Sequence, residues 1–175
     1  MGRVAAKIPA LQEATAEVDN AAATALGVNL TDLHCLAILM RRQTAAAGDL
    51  AAELRLTRGA TTVVLDRLGR AKLVERRGDP EDGRGVLVAV TAPARRRVRE
   101  IWGPIEGEGL ASLGRYSQAD LHVIENFLDR AHEQQVKHAE RIRGLRKAHP
   151  PRAPNRFSLK RTRTTGRAAS GDKGE

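Results

Sequence analysis

The chain has 175 residues, 41% hydrophobic but only 2% aromatic, which suits one packed domain plus a tail, with a core of Leu, Ile, Val and Ala. A single cysteine, Cys35, excludes an internal disulfide framework and suits a reducing cytoplasm, and no apolar run approaches the ~20 residues of a membrane span. The net charge of +9 is lopsided: residues 146–175 carry nine Lys/Arg against two Asp/Glu, which leaves only +2 for everything before them.

The N-terminal stretch MGRVAAKIPALQEATAEV is interrupted throughout by polar side chains and does not read as a secretory signal. Residues 8–27 place Ile8, Leu11, Thr15, Val18, Ala22 and Leu26 at three- and four-residue steps, an apolar stripe on a helix stopped by Gly27. A second helix is expected from Thr31 as N-cap, with Leu33, Leu36, Ala37 and Met40 inward. A third, short helix is predicted over 45–54. A turn through Arg55 and Leu56 then reaches Thr57, the N-cap of a fourth helix from Arg58 to about Ala71. Two short helices joined by a tight turn make a helix-turn-helix.

LVERR (73–77) and VLVAVT (86–91) read as strands, and Gly78, Pro80, Gly83 and Gly85 supply the turn between them. A helix-turn-helix followed at once by a two-stranded hairpin is a winged helix, so the fold class is mainly α with a small β-hairpin wing. Thr91 caps a basic helix that Pro104, Gly107 and Gly109 are expected to kink or loosen. Ser117 opens the last helix, with Asp120 completing a capping box. Its stripe runs through Leu121, Ile124, Leu128, Ala131, Gln135, His138, Ile142 and Leu145. Roughly 27 residues of helix span about 40 Å. That exceeds one small domain, so this helix is expected to pack on another chain. Residues 146–175, with Phe157 and Leu159 nearly alone as hydrophobes, are expected to be a basic disordered tail. It either attracts nucleic acid or simply solubilises.

At 100° per residue the fourth helix turns Thr61, Val64, Leu65 and Leu68 inward. Its outward set is Gly59, Thr62, Val63, Asp66 and Arg70, with Arg58 and Arg67 on the shoulders. A helix of this kind fits the major groove. There Arg58 suits a guanine edge, Thr62 and Val63 suit a thymine methyl, and bare Gly59 allows close approach. Arg67 and Arg70 suit phosphates, which position a protein without reading sequence. At the wing, Arg84 suits a narrow A·T-rich minor groove, and Asp82, two residues earlier, is placed to hold its guanidinium. A solvated helix face and an exposed ion pair are the plainer alternatives. Three acids at a hairpin tip facing DNA would otherwise repel phosphate, which favours the binding reading.

Cys35 reads as core filler, with a peroxide-sensing thiol as the alternative. The five histidines show no metal-ligand spacing. No nucleophile motif, phosphate-cradling glycine loop or paired carboxylates occur, so neither an enzyme, a cofactor nor a metal is expected.

One segment, AGDLAAELRLTRGATTVVLDRLGRAKLVERRGDPEDGRGVLVAVT (47–91), sets Asp79, then Asp82-x-Arg84, then a strand ending in Thr91. With NLTDLHCL before it and YSQADLHVIENFL after it, the chain resembles the MarR family of bacterial transcription regulators over about residues 8–145. The resemblance implies a cytoplasmic homodimer, its first and last helices (8–30 and 92–145) entwined and its two winged helices (31–91) presented to palindromic double-stranded DNA. It also implies repression relieved by a small-molecule effector, bound where the dimerisation helices meet the winged helix; Leu36, Met40 and Trp102 are candidate lining. A winged helix used only to dock another protein is the alternative. Lys72 stands where many relatives carry Gly, and in a left-handed cap it would cost about 1 kcal/mol.

Overall fold

The structure is a computed structural model and describes residues 2–80 and 85–148. The chain divides into two compact units, Met1–Arg115 and Tyr116–Glu175. The first holds α1 (Gly2–Ala5), α2 (Lys7–Leu26), α3 (Leu30–Arg42), β1 (Thr44–Ala46), α4 (Ala47–Leu54), α5 (Arg58–Arg70), β2 (Val74–Gly78), β3 (Val86–Val90) and α6 (Ala92–Leu113). The second holds α7 (Gln118–Ala148). The basic tail expected over 146–175 falls largely outside the described residues.

Each helix of the first unit starts and stops for a local reason. Gly27 ends α2 in the left-handed region at φ 70°, donating back to Ala23 and Thr24. Asn29, not Thr31, caps α3: its side chain accepts the Asp32 N–H. Both residues are cap formers, and the two-residue offset brings Leu30 and Thr31 into the first turn. Thr57 caps α5 and Thr91 caps α6, each accepting the N–H three residues on. Lys72 adopts φ 57°, and the Leu73 N–H closes onto the Leu68 carbonyl, the hydrogen bond of a left-handed helix exit.

The short helix expected over 45–54 starts two residues later than that, because Thr44–Ala46 are a strand. They pair antiparallel with β3, Ala45 opposite Val88, and give a three-stranded sheet in the order β1-β3-β2. Alanine is the best intrinsic helix former, but propensity is a weak prior, and the ladder hydrogen bonds on the open edge of β3 override it here. Pro104 lies inside α6, which runs from Ala92 to Leu113 without ending there. Gly103 precedes the proline and has no Cβ to clash with its ring, which relaxes the usual bar on helical geometry there.

The core is aliphatic. Leu36, Ile38 and Leu39 of α3, Leu50 of α4, Val64, Leu65 and Leu68 of α5, and Val88 and Val90 of β3 are all buried in one cluster. Trp102 of α6 packs partly buried against it. No single described helix is long and apolar enough to cross a membrane.

In the second unit, α7 opens with the expected capping box. The Ser117 N–H reaches Asp120 Oδ2 at 3.2 Å, and Ser117 Oγ accepts the Asp120 N–H at the same distance. The Ser117 hydroxyl also donates to Asp120 Oδ2 at 2.6 Å, and this bond first, then the Ser117 N–H, holds the Asp120 carboxyl below its usual range. The 31 residues of α7 span about 46 Å. Val123, Phe127, Leu128, Ile142 and Leu145 are exposed along it. Exposed apolar side chains also mark the start of α2 (Ile8, Leu11) and the end of α6 (Ile105, Leu110, Leu113).

Candidate nucleic-acid interface

The geometry of α5 follows from its period. Thr57 Oγ1 accepts the Ala60 N–H at 3.2 Å, and the Thr61 hydroxyl donates to the Thr57 carbonyl at 3.0 Å, so a buried polar side chain on the inner face is satisfied. Thr61, Val64, Leu65 and Leu68 are buried, the four residues the spacing turns inward. Arg58, Gly59, Thr62, Val63 and Arg70 are exposed, and Val63 shows 52% of its surface. A Cβ built on Gly59 meets nothing within 4 Å. The Thr62 hydroxyl donates to the Arg58 carbonyl at 3.0 Å, which leaves its methyl for an apolar contact. Arg70 Nε donates to the Asp66 carbonyl at 3.2 Å.

Arg67 differs from the other exposed cations of this helix. Its Nε donates to Asp32 Oδ2 at 3.0 Å and its Nη2 to Asp32 Oδ1 at 2.6 Å, a bidentate grip on a carboxylate of α3. Asp32 is only 3% exposed, and its own N–H is taken by Asn29 Oδ1 at 2.9 Å. Hydrogen bonding to Asp32 raises the Arg67 pKa further above its already high value. Sequence reasoning missed this pair because its members lie 35 residues apart with no pattern linking them.

β2 and β3 pair from Val74 opposite Val90 to Gly78 opposite Val86, and the Asp79 N–H donates to the Gly85 carbonyl one step beyond, at 2.9 Å. The hairpin therefore stays closed to the base of the wing. Asp82 and Arg84 lie outside the described residues. Two wing cations were also missed. Arg76 Nη2 meets Asp66 Oδ1 at 3.0 Å, which neutralises the one acid on the outward face of α5. Arg77 pairs with Glu75 on its own strand. Between α5 and the sheet runs a groove of about 470 Å³, lined by Asp66, Gly69, Arg70, Glu75 and Arg76 among others.

The three expected effector residues come together. Leu36 and Met40 of α3 and Trp102 of α6 line one pocket of about 330 Å³, with Leu33, Val98 and Glu106. Cys35, on the same helix, is fully buried. Burial, and secondarily the Asp32 carboxylate, push its thiol up to about 11, so it stays protonated at neutral pH and is a poor nucleophile. Among the described residues no group of three or more His, Cys, Asp or Glu converges as a metal site would.

The MarR family model matches residues 28–86, from the turn before α3 to the start of β3. An uncharacterized HTH-type transcriptional regulator of Bacillus subtilis, YcgE, is 29% identical over 123 residues, covering 70% of this chain and 80% of its own. Among solved structures, a MarR-like transcriptional regulator from Thermotoga maritima superposes with a TM-score of 0.53 at 25% identity, over 62% of this chain and 77% of that one. The complex of MepR from S. aureus with DNA superposes with a TM-score of 0.55 at 16% identity, over 73% of this chain and 96% of that one, a likeness of fold. With the sequence match spanning α3, α4, α5 and the start of the hairpin, and the winged helix itself in place, residues 28–86 of this chain are similar to the MarR family.

Proposed function

We propose that the protein is a homodimeric transcriptional repressor, acting in the cytoplasm, that binds a palindromic duplex site and is released from it by a small molecule. The observation that carries this reading is the outward face of α5, where Arg58, Gly59, Thr62, Val63 and Arg70 lie exposed beside a closed hairpin. A helix entering the major groove needs such a face, small enough to approach and polar enough to read base edges. That the structurally similar MepR forms a complex with DNA supports the DNA-binding reading. Arg58, Thr62 and Val63 read bases, Gly59 admits the backbone, and Arg70 with the outer edge of Arg67 meets phosphates.

The dimer is supported by the apolar side chains left uncovered in a single copy on α2, α6 and α7. Large contiguous apolar patches are rare on monomeric proteins and mark interaction sites. A second copy of the same chain covers such faces symmetrically. The pocket of Leu36, Met40 and Trp102 suits the effector: it is concave, mostly apolar and carries one carboxylate, Glu106.

Selection of genomic DNA fragments by the purified protein, followed by gel shifts on the enriched fragment, tests the reading. The Arg84→Ala variant is expected to bind that fragment at least tenfold more weakly while remaining folded. Failure of the wild type to enrich any fragment over competitor overturns the proposal, and points to the protein-docking use of the same fold. An unchanged affinity in Arg84→Ala removes the wing from the binding account.

A further inference from the structure

The inner face of α5 is apolar and therefore weakly directional. Thr61, Val64, Leu65 and Leu68 hold the helix against the core but tolerate small rotations about its axis. A bidentate arginine–carboxylate pair does not, because two parallel hydrogen bonds fix a plane as well as a distance. Arg67 supplies such a pair on the shoulder of α5, and its partner is anchored twice, by burial within α3 and by the Asn29 cap. Side-chain tips lie about 5–6 Å from a helix axis, so a rotation of ~20° displaces them by about 2 Å. Hydrogen bonds to base edges accept far less than that.

We propose that Asp32 is a positioning residue for DNA recognition: its carboxylate grips the inner edge of Arg67 and fixes the rotational setting at which α5 presents Arg58, Thr62 and Val63. Among the described residues no hydrogen bond reaches Arg67 Nη1, and 39% of the side chain is exposed. The inference rests on the DNA-binding reading above. It makes a prediction opposite in sign to simple electrostatics. Asp32→Asn removes a negative charge, which by itself strengthens attraction to a polyanion. Loss of the setting weakens only the sequence-specific contacts.

The test compares full-length wild type, Asp32→Asn and Arg67→Lys on two probes, the fragment that the wild type enriches from genomic DNA and poly(dI-dC). Arg67→Lys keeps the charge and loses the fork. In both variants the ratio of fragment to poly(dI-dC) affinity is expected to fall tenfold or more, and in Asp32→Asn poly(dI-dC) binding is expected to equal or exceed wild type. A ratio unchanged in either variant overturns the role of Asp32, as does a parallel loss on both probes that tracks a lowered melting temperature. If Asp32→Asn does not fold, the ratio in Arg67→Lys decides. A wild type that enriches no fragment defeats the DNA reading itself, and this inference with it; a wild type that enriches one while both variants match it defeats the inference alone.

Discussion

Gly59→Glu is expected to abolish binding to the selected fragment, by a hundredfold or more, in a protein that melts and elutes as the wild type does. Gly59 lies in the first turn of α5, where a Cβ meets no atom within 4 Å. Replacing a helical glycine by glutamate gains helix propensity, and a carboxylate near a helix N-terminus sits favourably with the helix dipole. Stability should therefore hold or rise. The same carboxylate would stand between α5 and the duplex, where it repels phosphate and blocks close approach. A gel shift and a thermal melt on the same preparation check the result. Retained affinity in a folded variant would mean that this face of α5 does not meet DNA.

Leu128→Glu is expected to have an effect of similar size by a different route. Leu128 lies on α7 with 57% of its surface exposed, on the stripe that the three- and four-residue spacing picks out. If that stripe meets a second copy, burying an unpaired carboxylate there costs several kcal/mol counted over the two symmetric sites. Light scattering should find the wild type near twice the 19.0 kDa chain mass and the variant at the single-chain mass. DNA affinity should fall by a hundredfold or more, because a dimer binds its second half-site at the high effective concentration that linkage provides and a monomer does not. A wild type of single-chain mass, or a variant that stays dimeric, contradicts this use of α7.

The parts legible in the sequence are those set by period or by a single local rule. The inward and outward faces of α5, the caps at Thr57 and Thr91 and the Ser117–Asp120 box follow from spacing or cap chemistry within a few residues, whereas the left-handed Lys72 follows only from the resemblance. Leu36, Met40 and Trp102 line one pocket. What escaped depends on partners distant in the chain. β1 exists because β3 offers it an edge some forty residues later, and its Ala-rich sequence carries no strand signal of its own. Asp32–Arg67 and Asp66–Arg76 are cross-element pairs, and charges on exposed-looking positions do not announce their partners. The sequence suggests Thr31 as the cap of α3, but Asn29, the stronger cap former, serves. Pro104 shows the limit of a composition rule: the helix tolerates it where its neighbour is a glycine.

The central claim is that two copies of this chain set a pair of α5 helices and wings on one duplex. Hydroxyl-radical footprinting of the selected fragment, with the mass of the complex measured on the same sample, tests it most directly. The account predicts two chains per fragment and two protected half-sites related by a dyad, their centres about 10 bp apart. One chain per fragment, or a single protected tract without symmetry, would contradict it.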